Sequence, residues 1–166
     1  MRHATSADYE WLYANTDYMK SGQIDRAKEA IKWINKDDPV VEFGCGRGDL
    51  ARHMRLQGYI WTARDYISPG VFKYIEFHTT VSIDVMEHLS EQEMERMLFY
   101  VLPCANKHVW AIANMSDIHT VNGEEVELHT IQKPWTWWAE RIRRYWPGKI
   151  TQETINCHRF LLVMER

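Results

Sequence analysis

An α/β architecture on a mostly parallel sheet follows from three features of this 166-residue chain. First, the short apolar run Val40-Val41-Glu42-Phe43 meets glycines at alternate positions, Gly44, Gly46 and Gly48, and then an amphipathic segment. That order reads as strand, tight turn, helix. Second, the acidic residue Asp65 stands about twenty residues beyond the turn, after a second strand-like run, as in a βαβ nucleotide-binding unit. Third, apolar runs at 77–83 and 107–114 alternate with a stretch of helical spacing. Strands alternating with helices imply crossover connections and parallel pairing.

Taken in order, residues 8–19 carry Tyr9, Trp11, Tyr13 and Tyr18. They predict a short helix packed on the core, with a flap over a bound ligand as the functional alternative. Ile24, Ala27, Ile31 and Ile34 recur at helical spacing, with Lys28, Glu29, Lys32 and Lys36 opposite, and predict a helix over 22–35. Asp38-Pro39 stops it, because a residue before proline avoids the helical region. Val40 to Phe43 is the first sheet strand. A helix over 49–57 follows, with Leu50 and Met54 inward, Asp49 complementing the helix dipole and Gly58 capping the end. Tyr59 to Ala63 is the second strand.

Only eleven residues, Tyr66 to Glu76, separate Asp65 from the next strand, and Ser68-Pro69-Gly70 is a turn. Phe77 to Ile83 is a strand leading into Asp84-Val85-Met86-Glu87-His88-Leu89. Ser90-x-x-Glu93 is a capping box opening a helix with Met94, Met97, Leu98 and Val101 on its apolar side. Lys107 to Asn114 is a strand, and 115–133 reads as a polar loop with a turn at Gly123. Pro134 opens a helix. Trp135, Trp138, Ile142 and Tyr145 form one face, and Trp137, Arg141 and Arg144 another, which is either core and dipole complement or a stacking and anion-binding patch. After Pro147-Gly148, residues 150–155 and 159–164 form a terminal hairpin.

Composition narrows the function classes. The length fits a single domain spanning 1–166. A net charge of −3 gives no global electrostatic case for nucleic acid. Cys45, Cys104 and Cys157 are odd in number and form no CxxC pair, which argues against a disulfide framework and a cysteine zinc site. No apolar run reaches membrane-spanning length, so the expectation is a soluble cytoplasmic protein without membrane contact.

The pattern E-x-G-x-G-x-G departs from the dinucleotide fingerprint G-x-G-x-x-G, because Asp49 occupies the third glycine's place. It resembles the first motif of class I S-adenosylmethionine (SAM) dependent methyltransferases, and D-V-M-E-H resembles their fourth-strand motif. The resemblance covers about residues 38–116. It implies a Rossmann-like three-layer sandwich, mostly parallel, with an antiparallel last strand. The short middle predicts a missing helix and a third strand that is absent or vestigial. The resemblance also implies SAM as cofactor, bound by Glu42, Phe43, Gly44, Cys45, Gly46, Gly48, Asp65, Tyr66, Ile83 and Asp84. Asp65 would accept the ribose hydroxyls, Tyr66 or Ile67 would cover adenine, and no residue is assigned to the adenine amino group.

The methyl of SAM is already electrophilic, so the protein must align the nucleophile and take up its proton. His88 and His129 are the candidate bases, with Glu87 orienting them. The expected reaction is methyl transfer to O or N of a small molecule, without a metal. A variant reads Asp84, Glu87, His88 and His129 as a cluster for Mg²⁺ or a similar ion, as in small-RNA 2′-O-methyltransferases. The alternatives are an RNA-modifying methyltransferase, for which RNA is the partner, and a protein that binds or degrades SAM without transfer. The absence of an N/D-P-P-Y/F run argues against DNA base amino-methylation, and Pro103-Cys104 lies before strand five, the wrong place for a cytosine-attacking thiolate.

Overall fold

The computed structural model of the chain describes residues 1–18, 22–65 and 77–166. Tyr66, the Ser68-Pro69-Gly70 turn and the shortening around the third strand lie outside the described residues. The elements are β1 (Arg2–His3), α1 (Ser6–Asn15), α2 (Gly22–Ile31), β2 (Val40–Phe43), α3 (Asp49–Leu56), β3 (Trp61–Arg64), β4 (Phe77–Ile83), α4 (Glu91–Val101), β5 (Ala105–Ala113), β6 (Ile118–Val121), β7 (Glu124–Glu127), α5 (Trp135–Ile142), β8 (Lys149–Asn156) and β9 (Arg159–Glu165).

A six-stranded sheet runs in the order β3-β2-β4-β5-β9-β8. The β3, β2, β4 and β5 neighbours pair in parallel, and β9 pairs antiparallel with both β5 and β8. β2, β4 and β5 are buried along most of their length because both faces of the sheet are covered. Alternation shows which face each residue serves. Trp110, Ile112, Leu162 and Met164 pack with Met94, Met97, Leu98 and Trp138 of α4 and α5. Val109, Ala111, Leu161 and Val163 pack with Ala27, Ala30, Leu50 and Met54 of α2 and α3. Helices on both faces make three layers, the expected architecture. The Ser90 capping box is present, its hydroxyl accepting from the Glu93 amide.

Two elements differ from expectation. The α2 helix ends at Ile31, and the chain continues through short turns, with the Trp33 amide donating to Ala30 O and Ile34 to Ile31 O. Residues 115–133 contain a β-hairpin rather than only a loop. Asn122 (φ 50°) and Gly123 (φ 84°) both take the left-handed region, the conformation a tight two-residue hairpin turn requires. The hairpin joins β1 in a second sheet, ordered β1-β7-β6. Its small core is Leu12, Val121, Val126 and Leu128, with Tyr9, Trp11 and Tyr18 against it. So α1 is fixed to the hairpin and held over the carboxyl ends of the main strands. Among the described residues no helix is long and apolar enough to cross a membrane.

Candidate active site at the carboxyl edge of the sheet

The order of strands switches sides at β2: β3 lies on one side of it, and β4 and then β5 lie on the other. Open α/β sheets bind ligands at such a switch point, outside the carboxyl ends of the strands. A cavity of about 400 Å³ lies there, lined by Gly44, Cys45 and Gly46 after β2, Asp65 after β3, and Asp84 and His88 after β4. Tyr9 and Tyr13 of α1, with Tyr18 just after it, complete the wall. Tyr9, Tyr13 and Tyr18 of this segment thus line the cavity, and Leu12 packs the same segment on a core of its own.

The glycine turn is set by backbone bonds. The Gly44 amide donates to Arg64 O at 2.8 Å, and the Gly46 amide donates to Asp65 Oδ1 at 2.8 Å. Gly44 has φ 69°, and a Cβ there would stand 2.3 Å from a methyl of Val85. At Gly46 a Cβ would meet the Tyr13 hydroxyl at 2.6 Å. The turn is thus closed between the fourth-strand motif and the α1 tyrosines. Gly48 is the N-terminal cap of α3, at φ 75°. Burial raises the Cys45 thiol to about 11, so it stays protonated.

Other residues expected at the cofactor lie on or behind this wall. Phe43 and Ile83 belong to the buried cores. Glu42 is fully buried, and its Oε2 accepts the Trp61 indole N–H at 2.8 Å. Burial lifts its carboxyl to about 7. Asp84 takes φ 51°, uncommon for a residue with a side chain, and its Oδ1 accepts from Arg159 Nε at 2.7 Å.

Glu87 and His88 lie on a single helical turn, Met86–His88. The Glu87 backbone carbonyl accepts the Thr130 and Ile131 amides at 2.8 and 2.9 Å, which brings His129 alongside. Glu87 is fully buried. Its Oε1 accepts the Ala113 amide at 3.0 Å, while Oε2 has no hydrogen-bond partner. Burial, and then the nearby Asp84, raise its carboxyl well above the ordinary range. His129 Nδ1 faces Met115 O, and its Nε2 is 4.0 Å from Glu87 Oε1. His88 Nδ1 is 3.0 Å from Leu128 O and 2.9 Å from the Tyr9 hydroxyl. Burial, with His129 beside it, lowers His88 to about 4.

The expected four-residue cluster is therefore only partly assembled. Glu87, His88 and His129 converge, whereas the carboxylate of Asp84 is engaged by Arg159. Arg159 is 75 residues away in sequence, and nothing in its local pattern marked it. Tyr9 was visible only as one aromatic among several. The Trp137, Arg141 and Arg144 face lies on and just beyond α5. Arg141 stacks on Trp137 at 3.5 Å and lies 3.7 Å from Glu91, and Arg144 faces Glu95 and Glu140. Each charge there meets a carboxylate.

No family model matches the sequence, and no curated protein matches it. Solved structures do. The DhpI–SAM–HEP complex superposes with a TM-score of 0.69 at 11% identity, over 96% of this chain and 93% of that one. A Burkholderia thailandensis 1,6-didemethyltoxoflavin-N1-methyltransferase, solved with 1,6-didemethyltoxoflavin and S-adenosylhomocysteine, gives 0.67 at 10%, over 95% and 86%. The methyltransferase domain of a bacterial Hen1 gives 0.57 at 10%, over 89% and 99%. At such identities the likeness is one of architecture, and the fold of this chain is the Rossmann-like fold of class I SAM-dependent methyltransferases.

Proposed function

We propose that this protein is a SAM-dependent methyltransferase acting on O or N of a small molecule. The observation that carries the reading is the Gly46–Asp65 hydrogen bond at the mouth of the cavity. It holds the glycine turn and the acidic side chain as one unit, with Asp65 at the strand end where a ribose would bind. Amides of the turn and the start of α3 suit the carboxylate of the methionine part. Tyr13 and Tyr9 then cover the sulfonium end, and His88 faces the cavity beside them. In transfer, a lone pair on the acceptor forms the new bond to the methyl carbon. The carbon–sulfur bond breaks with its electrons on sulfur, and the acceptor's proton passes to the His88, Glu87 and His129 group.

Two of the structural neighbours point by name to different acceptor classes: one is a 1,6-didemethyltoxoflavin-N1-methyltransferase and one belongs to the Pnkp1/Rnl/Hen1 RNA repair complex. The small-molecule reading is preferred here because the arginines of the α5 face are matched by Glu91, Glu95 and Glu140, which leaves little attraction for phosphate. Calorimetric titration with SAM and with S-adenosylhomocysteine, using NAD as control, tests the cofactor. Both SAM forms are expected to bind and NAD is not. Asp65→Ala should weaken binding about tenfold or more, the scale of hydrogen bonds to a charged group. No binding by the wild type would sink the reading. Methylthioadenosine or homoserine released without any acceptor would replace transfer with SAM degradation.

A further inference from the structure

At the edge of the main sheet far from β3, strand β8 carries two charges of opposite sign that the chain itself does not pair. We propose that β8 is a self-recognition edge: two copies of this protein join antiparallel through residues 149–153, on a twofold axis at Thr151, with Lys149 of each copy against Glu153 of the other. β8 is the last strand of the sheet, beyond β9, and no further strand pairs with it among the described residues. An edge of this kind is a template for another strand unless it is short, bulged, charged or covered. The opposite edge strand, β3, is four residues long, whereas β8 has eight.

The bulge in β8 lies between Thr154 and Asn156. It leaves Lys149-Ile150-Thr151-Gln152-Glu153 as the regular stretch, charged at its two ends and centred on Thr151. Lys149, Thr151 and Glu153 lie opposite Glu165, Val163 and Leu161 of β9, so they share the sheet face that α2 and α3 cover. Glu165 is already held by Lys107 at 3.0 Å, and Lys149 is exposed without an ion pair among the described residues. Glu153 Oε2 accepts the Trp33 indole N–H at 3.3 Å, which steadies the carboxylate on that face without neutralising it.

Symmetry fixes the register. Directly opposed residues share a face, so a twofold that keeps both faces of the joined sheet continuous must pass through a residue of β8, not between two. Centred on Glu153, it sets like charges against each other. Centred on Gln152, it runs the pairing into the bulge. Centred on Thr151, it places Lys149 opposite Glu153 twice, Ile150 opposite Gln152 twice, and Thr151 opposite itself. Opposite charges and paired threonines are favourable neighbours across strands. The pairing adds roughly four to six backbone hydrogen bonds. The parallel strands of the two copies then run in opposite directions, so the two cavities open at opposite ends of the joined sheet. The pairing stands apart from the methyl-transfer reading.

Sedimentation velocity of the full-length wild type over roughly 1–500 µM tests the edge, a range that spans the affinity of a small interface. A monomer–dimer equilibrium is expected, weakened by salt. Lys149→Glu and Glu153→Lys each set like charges opposite one another twice, and each should weaken the dimer by about tenfold or more. Their equimolar mixture should restore it to within about threefold of wild type, because the mixed pair again opposes unlike charges at both ends. Circular dichroism establishes that both variants are folded before they are mixed. A wild type that stays monomeric throughout overturns the proposal and leaves the edge to a strand of another protein. A dimer that both variants leave unchanged, or one that both weaken and mixing does not restore, overturns the pairing as well.

Discussion

Gly44 and Gly48 share a left-handed backbone but not the same surroundings. At Gly48 a Cβ would meet nothing within 4 Å, whereas at Gly44 it would strike Val85 at 2.3 Å. Gly48→Ala should therefore cost only conformational strain, about 1–2 kcal/mol. Gly44→Ala adds a clash inside a packed turn. It should lower the melting temperature by several degrees more and weaken SAM binding, because Val85 neighbours Asp84 and His88 on the cavity wall. Equal losses in thermal melts of the two variants would show that the approach of Val85 does not matter. Residues of this kind were legible in the sequence, since alternate glycines and an acid about twenty residues later have few backbone solutions. Arg159 was not legible. It begins β9, and its meeting with Asp84 depends on β9 lying beside β5, which local pattern does not encode. Glu42 was read as a cofactor contact from its place before the turn; that its Oε2 also accepts the Trp61 indole N–H depends on the neighbouring strand, which local pattern does not encode.

Among the elements, the N-terminal segment shows a lid fastened at its base. The Arg2 guanidinium holds both oxygens of Asp8 at 2.7 Å, and Asp8 in turn accepts the Thr5 amide at the start of α1. β1 pairs with β7, so β1, the hairpin and α1 form one unit. Arg2→Ala should speed amide exchange across residues 6–15 and raise the SAM dissociation rate, with little change in exchange at β4 and β5. Unaltered exchange in α1 would mean that the small core around Leu12 holds the lid unaided. The main strands and helices were legible from periodicity because each buries a full face. The hairpin was missed although Asn122-Gly123 is a strong turn signal. Its strands are four residues each and carry exposed charges such as Glu124 and Glu125, so the apolar alternation around the turn is faint.

For the whole molecule, two buried titrating groups outside the site should shape stability against pH, in opposite directions. His108 lies in a closed polar chain. The Trp110 indole donates to the Thr80 hydroxyl, that hydroxyl donates to His108 Nδ1, and Nε2–H donates to Leu102 O. Every role in this chain is filled by the neutral ring, and burial lowers its pKa to about 3. Between pH 3 and 6.5 the unfolded chain binds a proton that the folded one refuses, so stability rises with pH through that window. Glu42 does the reverse. Its carboxyl is raised to about 7, so between pH 4.5 and 7 the folded chain holds a proton that the unfolded one has released. Stability then falls as pH rises through that window. Each slope is about 1.4 kcal/mol per pH unit, and the two cancel between pH 4.5 and 6.5. Urea denaturation of metal-free protein across pH 4.5–6.5 tests the pair by difference. Relative to wild type, Glu42→Gln should gain an upward slope of about 1.4 kcal/mol per unit, and His108→Gln a downward slope of similar size. Parallel curves for the wild type and both variants would mean that neither burial is paid for in protons. The two faces of the sheet would then be linked to pH only through the surface and the cavity.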